Sequence, residues 1–254
     1  MGTCSMPKKP KSTVACVAHR ENATQRDAAP ADKPGMPRIP RHLIVIPDHP
    51  HHVILRGNNR RRLFSYPHEK RFFLARLFEG SQQHGIPVHS TVLMTNHVHL
   101  VVTPTDHQQL ARFVRSFAQP YAQFRNRRRG SSGKLFEERY KSVPIKSDEQ
   151  MAITAAYVEL NPVRAGICAE PGEFRWSTFP QHAGCEGQEP LFAKLWSPSS
   201  WYLSLGSESA ERAAVFREWV DHYWALDDWS KVYGDPERQA DRKRFERPNR
   251  KAAI

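Results

Sequence analysis

The chain has 254 residues and an excess of basic side chains, with 38 Lys and Arg against 26 Asp and Glu and a formal net charge of +12. This excess suits a polyanionic partner, nucleic acid first and an anionic membrane surface second. No apolar run is long enough to cross a bilayer, and the first residues lack the apolar core of a secretory signal, so the sequence predicts a soluble, cytoplasmic protein. Its cysteines, Cys4, Cys16, Cys168 and Cys185, lack the spacing of a zinc site and are predicted to be free thiols.

Composition divides the chain into three parts. Residues 1–40 are rich in Lys, Arg, Ala, Pro and Asp and lack apolar periodicity, which predicts a disordered basic tail. Residues 41–181 carry regular strand and helix patterns and are predicted to form the main folded domain. Residues 182–254 hold five of the six tryptophans and an amphipathic stretch at 209–226, which predicts a helical C-terminal extension.

Strand and helix patterns alternate along the main domain. In chain order we predict a strand at 51–56, a helix at 67–84 closed by Gly85, strands at 86–94 and 97–103, a helix at 108–127, a strand at 142–145 and a helix at 148–161. Pro120 is expected to kink or break the second helix. Asp148 is expected to cap the third, which should end at Asn161 because Pro162 follows. This order predicts an α+β, ferredoxin-like split βαβ antiparallel sheet with helices on one face and one extra helix.

One predicted strand carries two histidines at its start. Val98 and Leu100 alternate with His97 and His99, the period-two pattern of a half-buried strand, so the two imidazoles lie side by side on one face. Two adjacent imidazoles are typical of a divalent-metal site that oxygen ligands would complete. The alternative is a pair of half-exposed strand histidines with no ligand, and a His-x-His pattern alone does not exclude it.

The last predicted helix of the domain carries Tyr157 and Asn161. They are four residues apart and therefore neighbours on one helical face. Both can address one metal-bound phosphate, with Asn161 as a neutral oxygen ligand and the Tyr157 oxygen as nucleophile. The alternative is a tyrosine packed at a domain edge and an asparagine that caps the helix. Tyr140 is a rival nucleophile, but it lies in a basic segment and lacks a polar residue four positions on.

Basic residues cluster after the first strand, at the end of the second helix and around Tyr140. Taken singly, most of them are explained as solvated charges, but as a set they predict contacts to DNA phosphates, with neighbouring aromatic rings stacking on unpaired bases. Gly57 permits close backbone approach, so its neighbours are candidates for base recognition. The predicted DNA-binding residues are Arg56, Asn58, Arg60, Arg125, Arg127, Arg128, Arg139 and Lys141.

Four stretches together resemble the single-tyrosine HUH transposases, specifically the REP-associated branch of the IS200-like group. They are PHHVILRGN (50–58), LMTNHVHL (93–100), GKLFEERYKS (133–142) and YVELNPVRAG (157–166). The resemblance covers about residues 38–180, and the combination is specific although the His-x-His pattern alone is not. Thr95 stands where the family usually has proline.

The resemblance implies a transposase and endonuclease that acts on single-stranded DNA, with an imperfect hairpin and a short flanking guide sequence as substrate. It implies that His97, His99 and Asn161 hold one Mg²⁺ or Mn²⁺ ion that polarises the scissile phosphate. Tyr157 would attack phosphorus, form a 5′-phosphotyrosine and free a 3′-hydroxyl, and a second 3′-hydroxyl would reverse the attack without ATP. Residues 41–181 would then be the catalytic domain of a monomer or homodimer at the nucleoid.

Three other functions stay open. A hairpin-binding protein without catalysis would keep the basic clusters but would have lost a histidine, Tyr157 or Asn161, and this chain retains them all. A metal-dependent phosphodiesterase would need carboxylates beside the metal, and neither Asp106 nor Glu159 is convincing, since Glu159 faces away from Tyr157 on the helix. An RNA-binding ferredoxin-like domain would need aromatic residues on the exposed sheet face, where this chain has histidines.

Overall fold

The computed structural model describes residues 40–137 and 139–225, and a four-stranded antiparallel sheet lies at its centre. The strands follow the spatial order β2-β3-β1-β4, and each neighbouring pair is antiparallel. Two βαβ units interleaved in this order form the ferredoxin-like fold, so the predicted α+β class is confirmed. The elements are β1 (His51–Arg56), α1 (Pro67–His84), β2 (Val88–Leu93), β3 (His97–Val102), α2 (His107–Arg128), β4 (Lys141–Pro144) and α3 (Asp148–Arg164).

Local sequence signals set both ends of α1. Pro67 stands at its first position, where a missing N–H costs nothing, and the Glu69 carboxylate accepts hydrogen bonds from the N–H groups of Ser65 at 2.5 Å and Tyr66 at 3.2 Å. Gly85 ends the helix in the left-handed conformation with φ of 61°. The predicted bounds of α1 match the observed ones.

Proline does not interrupt α2. The Asp106 carboxylate begins this helix by accepting from the N–H groups of Gln108 and Gln109, and the helix continues through Pro120, so the predicted break is absent. Phe117 and Tyr121 flank the proline and are fully buried. Their burial is worth about 1.5–3 kcal/mol each, which offsets the roughly 3 kcal/mol that an internal proline costs.

The helix α3 also runs past its proline, so the prediction that it ends at Asn161 was wrong. Its last turn is closed by hydrogen bonds that do not need the missing N–H of Pro162, because Ala165 N–H donates to Asn161 O at 3.0 Å and Ile167 N–H donates to Pro162 O at 2.9 Å. The helix cap also differs from the prediction. The Ser147 hydroxyl, one residue before Asp148, accepts from the N–H of Gln150.

The two faces of the sheet have different partners. The register pairs Ile54 of β1 with His99 of β3, so these side chains share one face. Leu55 points to the other face and shares a cavity wall with Val114 of α2, and α2 packs on α1. Helix α3 lies on the histidine face, where the ring centroid of Tyr157 is 5.8 Å from that of His99.

The chain after α3 folds back onto β2. The N–H of Leu93 donates to Trp176 O at 2.9 Å and the N–H of Thr178 donates to Thr91 O at 3.0 Å, so this segment covers the outer edge of β2. Helices α4 (Phe179–Ala183), α5 (Leu191–Leu195), α6 (Ser200–Leu203) and α7 (Ser209–Ala225) follow.

The long helix predicted at 209–226 corresponds to α7. Its Trp219 indole donates to Ala152 O of α3 at 2.9 Å. In the described part of the chain, no helix has the length and apolar character needed to cross a membrane. The predicted basic tail and the end of the predicted extension lie outside the described residues.

Candidate active site and nucleic-acid interface

The fold brings together the two motifs that the sequence singled out. His97 and His99 lie on one face of β3 with ring centroids 4.8 Å apart. The ring of Tyr157 reaches this face from α3, edge-on to His99. Asn161 lies one turn further along α3, and its Nδ2 donates to Tyr157 O at 3.1 Å. The candidate nucleophile therefore lies beside the paired histidines, and the third candidate ligand is one helical turn away from it on α3.

His52 belongs to the same cluster, and sequence reasoning did not select it. Its Nε2 lies 2.8 Å from His99 Nδ1, and the two rings are stacked with centroids 5.1 Å apart. The ring of Tyr157 is edge-on to His52 at 5.9 Å. The period-two alternation of β1 indicates that His52 and Ile54 share one face. Only the pairing register of β1 with β3, which the sequence does not specify, shows that this is also the face of His99.

The hydrogen bonds of the two histidines on β3 favour metal binding through Nε2. The Asn96 side-chain oxygen accepts from His97 Nδ1 at 2.7 Å, which places the lone pair of His97 on Nε2. When His99 donates from Nδ1 to His52, its lone pair lies on Nε2 as well. Burial lowers the pKa of His99 well below its usual range, and the neighbouring His52 and His97 lower it further. The neutral ring is the form that binds a metal.

The residues fit a divalent cation only if oxygen ligands complete the site. Among the described residues, no group of three or more His, Cys, Asp or Glu could hold a metal ion. Asn161 uses its Nδ2 as a donor to backbone, which leaves Oδ1 as its coordinating atom. Two imidazoles, one amide oxygen and phosphate oxygens suit Mg²⁺ or Mn²⁺ with water or substrate as further ligands.

Arg164 adds a positive charge beside the candidate nucleophile. Its Cζ lies 4.8 Å from the centroid of the Tyr157 ring, within the range of a cation–π contact. The side chain of Tyr157 is only 4% exposed. Sequence reasoning missed Arg164, although it is seven residues, about two helical turns, beyond Tyr157.

Arg125, which the sequence predicts to contact DNA, is buried in this structure. Its side chain is 7% exposed, and its Nε lies 3.8 Å from Glu69 Oε1 between α1 and α2. Arg129 reaches the same oxygen at 3.2 Å. A buried guanidinium that faces a carboxylate is not available to a phosphate at the surface, so Arg125 serves the packing of the two helices.

Gly57 also has a different role from the one predicted. A Cβ on Gly57 would lie 2.2 Å from the carbonyl oxygen of Arg61, so the close approach that requires glycine is made by the chain's own turn. The next residue, Asn58, donates its N–H to Leu135 O at 2.9 Å and ties this turn to the segment before β4.

A basic groove of about 870 Å³ lies between α2 and the segments 134–137 and 139–140. Of the two candidate nucleophiles, Tyr140 lines this groove and Tyr157 contacts the histidines. Apolar side chains form its floor, and Glu137 is the acidic residue among those that line it. The cations of the groove are Arg56, Arg112, Arg115, Lys134 and Arg139. The sequence predicted Arg56 and Arg139, and it missed Arg112 and Arg115, which are two exposed arginines of a helix face.

Two predicted DNA-binding residues lie on the histidine face itself. Arg56 is opposite His97 in the register, and Lys141 of β4 is opposite Ile54. Arg56 is therefore a residue that the groove lining and the histidine face share. The remaining predicted cations are exposed on the surface: Arg60, Arg127 and Arg128.

Comparisons with known proteins give two findings. A family model described as IS200-like transposase matches residues 46–161. Seven chains of solved structures match as well. One, described as the REP associates tyrosine transposase bound to a REP hairpin, is 14% identical, with a TM-score of 0.45 over 61% of this chain and 88% of its own. No curated protein matches in sequence.

Proposed function

We propose that this chain is a REP-associated, single-tyrosine HUH transposase that cleaves and rejoins hairpin-containing single-stranded DNA, since a family model described as IS200-like transposase matches residues 46–161. The observation that carries the proposal is the edge-on contact of Tyr157 with His99 and His52. A phenol beside candidate metal ligands is the arrangement that tyrosine-based phosphoryl transfer requires. The hairpin substrate follows from the resemblance of the four motifs.

The proposed reaction is a transesterification at phosphorus. The Tyr157 oxygen forms a bond to the scissile phosphorus and loses its proton to solvent, while the bond to the 3′-oxygen breaks and this oxygen takes up a proton from solvent to leave as the 3′-hydroxyl. One phosphodiester replaces another, so a 3′-hydroxyl can later displace the tyrosine without ATP. The guanidinium of Arg164 lies over the Tyr157 ring and supplies a positive charge beside the attacking oxygen.

The residues that would hold a divalent cation are His97, His99 and Asn161. Mg²⁺ or Mn²⁺ bound there supplies polarisation and orientation of the scissile phosphate. His52 and Asn96 orient the two imidazoles through Nδ1.

The basic groove is the proposed path of the DNA. Arg112, Arg115 and Arg139 neutralise phosphates, while the apolar floor and Tyr140 accept unpaired bases. Arg56 connects the groove to the histidine face, so a strand that lies in the groove arrives beside His97.

A second candidate is a DNA-hairpin-binding protein without catalysis. The observation that favours it is the burial of Tyr157, which is 4% exposed. Catalysis requires a phosphate to come within bonding distance of the Tyr157 oxygen, and burial restricts this approach. The groove requires no nucleophile, so this function would use the basic surface alone.

One experiment separates the two functions. Single-stranded hairpins labelled at both ends are incubated with the full chain and Mn²⁺ or Mg²⁺, and the products are separated on denaturing protein and DNA gels. The proposal expects a metal-dependent adduct that carries the 3′-end label, a released fragment that carries the 5′-end label, and loss of both in Tyr157→Phe.

Tyr140→Phe is the matched control, since it removes a phenol from the groove and leaves the active site intact. An adduct that persists in Tyr157→Phe and disappears in Tyr140→Phe would move the nucleophile to Tyr140. Tight hairpin binding with no adduct in the wild-type protein would leave the DNA-binding function.

A further inference from the structure

Glu159 is a fully buried carboxyl group in α3, two residues after Tyr157 and two before Asn161. Its Oε1 accepts a hydrogen bond from Thr178 Oγ1 at 2.7 Å and lies 3.2 Å from His182 Nδ1. Both partners come from the chain after α3. Its Oε2 has no hydrogen-bond partner within residues 40–137 and 139–225, and an apolar side chain would pack in such a place at lower cost. Stability alone therefore does not account for this carboxyl group.

Thr178 extends the contact from α3 to the sheet. Its hydroxyl donates to Glu159 and accepts from the N–H of Thr91 in β2 at 2.8 Å. The Thr91 hydroxyl donates in turn to the carbonyl oxygen of His99 in β3 at 3.0 Å. A continuous chain of hydrogen bonds thus joins the helix that carries Tyr157 to the strand that carries the histidines.

His182 also lies beside the Glu159 carboxyl group, with its Nδ1 3.2 Å from the oxygen that Thr178 contacts. The Trp196 indole N–H donates to His182 Nε2 at 3.3 Å, so the ring hydrogen lies on Nδ1, which faces Glu159. The imidazole is stacked on Phe216 of α7 with ring centroids 4.7 Å apart. The chain after α3 therefore places a second polar side chain against Glu159, whose hydrogen-bond donor is Thr178.

We propose that Glu159 is a positioning residue that sets the rotation of α3, and with it Tyr157 and Asn161, relative to His97 and His99. Residues two apart in a helix point to opposite sides, so this anchor is on the back of the helix whose front carries the nucleophile. Apolar packing tolerates small rotations of a helix, whereas hydrogen bonds to one fixed hydroxyl do not. The inference rests on the proposed function, in which Tyr157 must meet a phosphate held at the histidines.

The test removes the Thr178 hydroxyl and keeps the volume. Thr178→Val leaves Glu159 without its donor, Thr178→Ser restores the hydroxyl, and Ser81→Ala is the matched control. Ser81 is buried and donates one hydrogen bond, to Ile86 O, in α1. We expect Thr178→Val to slow adduct formation at saturating hairpin at least tenfold with unchanged hairpin affinity, and Thr178→Ser to restore the rate to within about twofold.

Hydrogen exchange supplies a readout that needs no catalysis. We expect amides of α3 around Tyr157 to exchange at least tenfold faster in Thr178→Val than in the wild type, and to be unchanged in Ser81→Ala. Equal behaviour of Thr178→Val and Ser81→Ala in both assays would overturn the positioning role. If the wild-type protein forms no adduct, the proposed function fails, and the exchange rates alone decide whether Glu159 fixes α3.

Discussion

Arg125 and Arg112 lie on the same helix, and we predict opposite effects for their removal. Arg125→Ala deletes a buried guanidinium that faces Glu69. Removing one partner of a buried ion pair costs about 3–5 kcal/mol, but Arg129 still reaches the same carboxylate at 3.2 Å. We therefore expect a loss of about 2–3 kcal/mol in the free energy of unfolding. In a chain of this size, that corresponds to a Tm lower by about 5–10 °C.

Arg112→Ala removes the same charge from the exposed wall of the groove. We expect the free energy of unfolding to stay within about 0.5 kcal/mol of the wild type. Affinity for a single-stranded oligonucleotide should fall, and the slope of log K against log salt should decrease by about 0.7 for one lost phosphate contact. Arg125→Ala should leave both quantities unchanged in the folded protein.

Thermal unfolding and fluorescence anisotropy at several salt concentrations measure the two effects on the same samples. Each variant loses one positive charge, so the net charge of the protein is matched between them. A result in which Arg125→Ala keeps the Tm and lowers the salt slope would refute the reasoning, because Arg125 would then contact phosphate and not Glu69.

Two further predictions concern Glu69 and His52. Burial raises the pKa of Glu69, but hydrogen bonds from the N–H of Ser65 and from Arg129 outweigh this effect, so the pKa of Glu69 lies below its usual range. The ionised carboxylate therefore stabilises the fold above about pH 4.3, which is the pKa of glutamate in the unfolded chain. This stabilisation is lost as the pH falls through the pKa of Glu69 in the folded protein. Thermal unfolding should show Glu69→Gln less stable than the wild type near neutral pH and the gap closing in acid; a constant gap would contradict this. His52→Phe keeps a stacked ring but loses the nitrogen at His99 Nδ1, so Mn²⁺ affinity measured by calorimetry should fall about 10- to 100-fold, and an unchanged affinity would exclude His52 as an orienting residue.

The sequence predicted those parts of the fold that local signals determine. Pro67 and Gly85 mark the ends of α1, and the period-two alternation around His99 marks β3. The helices continue through Pro120, where a kink or a break was predicted, and past Pro162, where an end was predicted, for a common reason. A proline penalty is local, whereas packing of neighbouring side chains and hydrogen bonds in the next turn decide whether the helix continues, and neither is visible in the spacing of residues.

The candidate site was predictable only where its residues are close in sequence. Asn161 follows Tyr157 by one helical turn, so their proximity could be derived without knowledge of the fold. His52 contacts His99 through a strand register that the sequence does not specify. Arg125 looked like its exposed neighbours because its partner, Glu69, belongs to another helix.

The predicted boundary between residues 181 and 182 stays a prediction, but the network around Glu159 crosses it. Thr178 precedes the boundary and His182 follows it, and both contact the same buried oxygen. The later chain also protects the sheet, since Ser197 N–H donates to Val88 O of β2 at 2.9 Å. An edge strand with unpaired backbone groups is prone to pair with other chains, so the segment after α3 protects the sheet by covering the edge of β2. The same segment contacts the back of the helix that carries Tyr157. An appended helical extension would do neither.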